Sequence, residues 1–294
     1  MGISKLFLER LAMGPTIVIT GATSGIGRLA AVELARRGAR VLITARDAER
    51  GEQARQQIGA DRVFLGDLGR LEDVRRIGKE ISDGYGRIDV LVNNAGLHAF
   101  ESRTTVDGFP EMVAVNYLAP WLLTRALLPA LRRSPAARIV NVASEASRRH
   151  GTFHLPDDLT TTVPFTAKGS SVHYGRSKLL DIMFTMELGR RLGGSTVTAN
   201  CLDPGFNTTG LGRELRLSGV LKKAFTALRI GDPSRGADLI VALATDPALD
   251  GQSSGYYSRR VSRQIRPAAP GDDAERQAEL WLHTERLLAP WFAR

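Results

Sequence analysis

The chain has 294 residues, 43% of them hydrophobic, enough for one large domain with a sizeable core. Its formal net charge is +9, yet the basic residues are dispersed among acids, as in Glu33, Arg36 and Arg37 or Glu49, Arg50 and Glu52. With no basic stripe interleaved with aromatics, a nucleic-acid partner is not expected, whereas a phosphorylated small ligand suits the charge.

One cysteine, Cys201, leaves no disulfide framework and no cysteine-based metal site within the chain, and it fits a reducing compartment, the cytoplasm. His98, His150, His154 and His173 lack metal-ligand spacing and are read as polar lining or surface, so no metal is expected. No apolar run reaches about 18 residues, so no membrane span is expected. Residues 1–13 are too short and too charged for a signal peptide. They read as an extension that packs on the body or stays disordered; a short amphipathic helix touching a membrane is the other reading.

Thr16-Ile-Val-Ile-Thr20 is an apolar, β-branched run that predicts a buried parallel strand. Gly21-Ala-Thr23-Ser24-Gly25-Ile26-Gly27 follows, then an amphipathic helix to Arg37. Strand, glycine turn and helix form the context for a phosphate site: glycines let backbone approach a pyrophosphate, and the helix N-terminus offers free N–H groups. Gly38–Thr44 is the second strand. Arg46 at its end suits a 2′-phosphate, which favours NADP over NAD. Asp47–Ile58 reads as helix and Arg62–Leu65 as strand three. Asp67, followed by Leu68, is placed to accept from an adenine amine or to cap a helix at Gly69–Ile81. Ile88–Val92 is strand four, and Asn93-Asn94-Ala95-Gly96 after it makes a turn that can lie against a ribose.

Phe109–Leu131 reads as one long helix, bent by Pro120 and carrying Asn116 among apolar neighbours. Arg138–Ser144 is strand five, and Ser144 ends it at the edge where open α/β sheets bind ligands. The polar connection from His150 to Ser171 is long enough to wall a substrate pocket. Next comes Val172-His-Tyr174-Gly-Arg-Ser-Lys178 on a helix to Leu192. Residues four apart share a helix face, so an ammonium stands beside a phenol and favours the phenolate. Thr196–Leu202 is strand six, followed by Asp203-Pro204-Gly205-Phe206-Asn207-Thr208-Thr209. Residues 206–230 read as an amphipathic substrate lid, Pro233–Thr245 as helix, Gly255–Tyr257 as a last strand, Arg259–Pro270 as a basic linker and Asp273–Leu288 as a C-terminal helix. The alternation implies an α/β architecture: a doubly wound parallel sheet of about seven strands with helices on both faces, one domain over residues 14–260.

These motifs, in this order, resemble the short-chain dehydrogenase/reductase family: Thr20-Gly-x-x-x-Gly25-x-Gly27, Asn93-Asn-Ala-Gly96, Asn116, Ser144, Tyr174-x-x-x-Lys178 and Pro204-Gly-x-x-x-Thr209. The glycine spacing is that of the single-domain branch. Thr44-Ala-Arg-Asp-x-x-Arg-Gly51, Val115-Asn-Tyr-Leu118, Ile139-Val-Asn-Val142 and the wide Ser144-to-Tyr174 interval are similar to the retinol-dehydrogenase-like group. The resemblance implies a Rossmann-type fold that binds NADP through the glycine turn, Arg46, Asp67, Leu68, Asn94–Gly96, Tyr174, Lys178, Pro204, Gly205, Asn207 and Thr209. It implies that Tyr174 exchanges a proton with a carbonyl or alcohol and that Ser144 hydrogen-bonds the same oxygen. Lys178 lowers the Tyr174 pKa and holds the nicotinamide ribose, and Asn116 holds a relay water. An aliphatic residue is commoner at the position of Asn207, near the carboxamide. Family members often pair through the helices carrying Asn116 and Tyr174, which keeps a homo-oligomer open. The expected activity is hydride transfer between NADP(H) and a bulky, lipophilic carbonyl or alcohol compound; a non-catalytic NADP-binding sensor or scaffold is the alternative.

Overall fold

The computed structural model describes residues 14–205, 232–258 and 260–292. The expected N-terminal extension at 1–13, the lid at 206–230, and with it Asn207 and Thr209, lie outside the described residues.

The first unit is strand β1 (Thr16–Ile19), the glycine turn and helix α1 (Gly25–Arg36). Then follow β2 (Arg40–Ala45), α2 (Ala48–Ile58), β3 (Arg62–Leu65), α3 (Leu71–Gly84) and β4 (Val90–Asn93). The second half carries α4 (Ala119–Leu131), β5 (Ala137–Val142), α5 (Ala167–Arg191), β6 (Val197–Asp203), α6 (Pro233–Thr245), β7 (Tyr256–Ser258), β8 (Arg260–Gln264) and α7 (Ala274–Phe292). The sheet order is β3-β2-β1-β4-β5-β6-β7-β8. The first seven strands run parallel, and β8 pairs antiparallel with β7.

The period of two along each strand builds both cores. Val18, Leu42, Leu91 and Ile139 point to one face, against Val74 and Ile77 of α3, Leu127 of α4 and Leu180 of α5. Ile17, Ile19, Val41, Ile43, Val92 and Val140 point to the other, against Ala30 and Leu34 of α1, Ile58 of α2 and Ile240 of α6. Winding reverses between β1 and β4, and their C-terminal ends open the crevice where such sheets bind ligands.

The segment carrying Asn116 is not one regular helix. A turn at Glu111–Val113 leads into a π-helical stretch, Ala114–Leu118, before α4 begins. Pro120 has no N–H to give to the carbonyl four residues back, that of Asn116. The ladder shifts instead: Ala119 N–H donates to Ala114 O, five residues back.

Helix α3 starts at Leu71, not at Gly69. Asp67 Oδ1 accepts from Gly69 N–H at 2.9 Å within the preceding turn. The free N–H of Leu71 is met by Asp107 Oδ2, 36 residues on, at 2.8 Å, a tertiary contact with no local signature.

The basic linker at 259–270 contains strand β8, since the prolines begin only at Pro267. The long connection at 150–171 holds a helical turn at Asp157–Thr160, and α5 begins at Ala167, five residues before Val172.

Helix α7 lies against α5 and runs to Phe292, four residues past the expected end. It buries Leu280, Trp281, Thr284 and Leu288. The Trp121 and Trp281 rings stand 5.3 Å apart, and the Tyr117 and Thr284 hydroxyls are hydrogen-bonded. The C-terminal helix thus covers an aromatic side of the helices that carry Asn116 and Tyr174.

Candidate active site

A cleft of about 460 Å³ runs along the C-terminal edges of the strands. The glycine turn, Arg46, Asp67 and Leu68 line one end, Asn94–Gly96 the middle, and Ser144, Tyr174, Lys178, Pro204 and Gly205 the other. Every predicted site residue within the described range is thus brought to one crevice except Asn116, which sits just behind it.

The glycine turn is held by the neighbouring strand. Gly21 and Gly25 have φ of +68° and +63°, conformations that glycine adopts at little cost. Thr20 Oγ1 accepts from the N–H groups of Asn94 and Ala95, both at 3.0 Å. Asn94 Nδ2 donates to Thr20 O at 2.9 Å and Gly21 O at 3.1 Å. So the Asn94 side chain ties two strand ends together instead of facing the cleft with a free amide. Gly27 is required by that tie: a Cβ there would lie 2.2 Å from Asn94 Nδ2 and 2.8 Å from Gly21 O. The turn and the start of α1 fit a dinucleotide pyrophosphate, because backbone is bare of side chains where the α1 N-terminus opens to the cleft.

Arg46 and Asp47 are exposed at the end of β2, and Asp47 Oδ1 accepts from Arg50 N–H at 2.8 Å as the cap of α2. Arg50 lines the same corner. In the sequence Arg50 stands among dispersed charges and in the Thr44–Gly51 run without a site role; its signal is its position three residues after the cap, on the first turn of a helix that begins at the cleft.

At the other end, Ser144 closes β5 in extended backbone and caps the 3₁₀ turn Glu145–Arg149. Its Oγ accepts from Ala146 N–H at 3.1 Å and lies near enough to the Tyr174 hydroxyl to oppose the rise in the phenol's pKa. Gly175 lets α5 come this close: a Cβ there would stand 2.4 Å from Ala146 O. Buried Asp203 Oδ1 accepts from Glu145 N–H at 3.0 Å and pins the same turn. The sequence reading gave Asp203 no role.

Lys178 Nζ is buried and donates to Val142 O at 2.7 Å. It also faces Gly96, whose added Cβ would lie 3.4 Å from Nζ. Asn116 Oδ1 accepts from Leu97 N–H at 2.8 Å, and its Nδ2 donates to Leu97 O and Ser177 Oγ, both at 2.9 Å. The Asn116 side chain is committed to protein. What it visibly does is fasten the loop after Gly96 to α5.

The phenol of Tyr174 is not brought down toward neutrality in this arrangement. Burial pushes it well above its ordinary value, the nearby Ser144 hydroxyl opposes that, and the Asp203 and Asp181 carboxylates add to the rise. Burial also pushes the Lys178 ammonium down, with Asp181 opposing. The positive charge expected to relieve the phenol is thus itself poorly solvated and drawn toward Val142 O.

His98 covers one face of Tyr174, with ring centroids 4.6 Å apart and planes 12° from parallel, and Phe100 stacks on its other side at 4.8 Å. Ser170 Oγ donates to Ala167 O, so it accepts from His98 Nε2 at 3.1 Å, which places the proton on Nε2. The loop at 97–100 therefore contributes an aromatic wall. His173 instead stacks on Phe165. Among the described residues no cluster of ligating side chains could hold a metal ion, and no helix is long and apolar enough to cross a membrane.

The family model described as short chain dehydrogenase matches residues 15–155. Retinol dehydrogenase 14 of Homo sapiens is 36% identical over 293 residues, which cover 92% of this chain and 85% of that protein. The chain belongs to the short-chain dehydrogenase/reductase family and is an NAD(P)-dependent oxidoreductase. Its relatives include the retinol dehydrogenases, and solved structures share its fold. A crystal structure of an uncharacterised protein from Mycobacterium paratuberculosis has a TM-score of 0.74 at 32% identity, covering 94% of this chain and 93% of that one. The RhlG/NADP active-site complex of Pseudomonas aeruginosa has a TM-score of 0.67 at 25% identity, covering 84% and 95%.

Proposed function

We propose that the protein is an NADP(H)-dependent carbonyl reductase or alcohol dehydrogenase acting on a bulky, lipophilic compound. The observation that carries this reading is that Ser144 and Tyr174 line one end of the cleft that the glycine turn opens, with the Ser144 hydroxyl near enough to act on the phenol. Two hydroxyls from different elements meet where a carbonyl oxygen would need them. A bound nicotinamide would supply or accept the hydride.

The chain's own residues handle the oxygen and the proton. In reduction, Tyr174 gives its proton to the carbonyl oxygen as negative charge develops there, and Ser144 donates a hydrogen bond to the same oxygen. A phenol kept protonated by burial suits that direction. Lys178 returns the charge balance from one helical turn away. The glycine turn and the start of α1 would hold the pyrophosphate, and Gly96 and Lys178 would border the ribose.

Arg46 and Arg50 support NADP, since two arginines at one corner of the cleft, one just after β2 and one on the first turn of α2, suit a 2′-phosphate. The RhlG neighbour is a complex with NADP, and the human relative is named for retinol, a lipophilic alcohol. The apolar wall of His98 and Phe100 beside Tyr174 agrees with such a substrate.

The test is NADPH consumption against lipophilic aldehydes, ketones and quinones, with Tyr174→Phe beside the wild type. Turnover of the active compounds falls at least about 10²-fold in the variant while NADPH still binds. Near-normal turnover in Tyr174→Phe refutes the assignment.

A further inference from the structure

Lys178 has a neighbour that the chemistry above leaves unused. Asp181, one turn further along α5, is 2% exposed, and its Oδ2 stands 4.0 Å from Lys178 Nζ. Its other oxygen, Oδ1, is buried with no hydrogen-bond partner. An ionised carboxylate in that position is poorly compensated, whereas a carboxyl group that keeps its proton avoids most of the penalty.

The surroundings offer Asp181 little else. Thr185 Oγ1 donates to the Asp181 backbone carbonyl at 2.8 Å, not to its carboxylate. On β5 the polar group at this level is Asn141, which donates to Thr185 at 2.8 Å. The ionisable groups that face Asp181 are Lys178 and Tyr174 on α5, Cys201 on β6 and Tyr117 on the π-helical stretch. Tyr117 spends its hydroxyl on Thr284 of α7, and Cys201 is a buried thiol that carries no positive charge. Lys178 is therefore the one cation close to Asp181 among the described residues.

We propose that Asp181 is a positioning residue that shares one proton with Lys178 and so sets the charge on that amine. The pair has two forms, ammonium with carboxylate and amine with carboxylic acid. Passing between them requires the groups to close from 4.0 Å to hydrogen-bond distance; the O–H bond of the carboxyl then breaks as the N–H bond of the ammonium forms, with no change in electron count. Burial pushes the acid up and the lysine down, which draws their proton affinities together. When Lys178 yields a proton toward the phenol, Asp181 is the group beside it that can restore one. The Asn116 amide, occupied by Leu97 and Ser177, is not.

The functional consequence rests on the reading of Tyr174 and Lys178 given above, so the experiment separates the two. Infrared difference spectra of the whole protein without substrate are recorded from pH 5 to 9 for the wild type, Asp181→Asn and Lys178→Met. A protonated carboxyl band is expected in the wild type, lost as pH rises and missing in Asp181→Asn. In Lys178→Met the band persists to a pH at least about one unit higher, because the ammonium that favours the carboxylate is gone. A band that titrates identically in wild type and Lys178→Met, or no such band at pH 5, overturns the proton sharing.

With the most active compound of the panel, Asp181→Asn shifts the Lys178-dependent limb of the kcat profile to lower pH by about one unit or more, while KM changes less than about twofold. A uniform loss at every pH marks a packing role and overturns the assignment. Should Tyr174→Phe keep full turnover, the oxidoreductase chemistry fails while the infrared comparison still decides the proton sharing.

Discussion

The two ends of the cleft are built on opposite principles. At the nucleotide end the groups offered to a ligand are bare backbone and exposed guanidinium groups, held by a tie of Thr20 and Asn94 between strand ends. At the chemical end they are the buried side chains of Tyr174 and Lys178, backed by the buried carboxyl groups of Asp181 and Asp203. Exposed arginines recognise charge in water and are screened by it. Buried groups have their proton affinities moved by desolvation, which is how a phenol, an amine and a carboxyl come to trade protons. Binding and chemistry should therefore fail separately, and each end can be disturbed without the other.

The largest expected effect is on stability against pH at the chemical end. Burial raises the Asp181 carboxyl to about 7, above the ordinary carboxylate value. A carboxyl raised on folding stabilises the fold fully below its unfolded pKa of about 4, and that stabilisation is lost as pH rises through about 7. The span corresponds to at most about 4 kcal/mol, reduced by the opposite shift of Lys178. Denaturant unfolding of wild type and Asp181→Asn at pH 4 and pH 8 isolates it: the wild type loses stability relative to the variant as pH rises. A difference that stays constant with pH removes Asp181 from the titrating groups.

Next comes Ser144→Ala, which takes away the hydroxyl that meets Tyr174. Turnover falls about 10²–10³-fold, the usual cost of a lost oxyanion donor, while NADPH affinity measured by fluorescence stays within about threefold. Equal losses in both would mean that the two ends are not independent.

The smallest effect belongs to the exposed corner. Arg46→Asp moves cofactor preference toward NADH by roughly tenfold, with turnover at saturating cofactor little changed. Arg50 moderates the loss by remaining at the same corner. Unchanged selectivity counts against the 2′-phosphate reading.

The same contrast explains what was legible in the sequence. The nucleotide end is local: a β-branched run, a glycine turn and an amphipathic helix follow one another within Thr16–Arg36, and each signal survives without tertiary context. Tyr174, Lys178 and Ser144 were legible because each ends or faces the crevice by simple periodicity. The rest depends on partners far along the chain. Asn94 and Asn116 stand out in the sequence, but their amides turn to protein because Thr20, Leu97 and Ser177 arrive there by folding. The start of α3 is set by Asp107, 36 residues on. Strand β8 forms because β7 offers an edge, and α7 covers α5 because Trp121 and Phe184 present aromatic rings to Trp281. Asp181 reads as an ordinary helix-surface acid until its burial is known.

The central claim is that the glycine-turn cleft and the Ser144–Tyr174 hydroxyl pair form one site. A crystal structure with NADP⁺ bound measures this directly. The account predicts the nicotinamide ring beside the two hydroxyls, its reactive carbon within about 4 Å of the Tyr174 oxygen, the reach of a near-attack geometry. A ring seated well away from Tyr174, with the pyrophosphate still on the glycine turn, would contradict it.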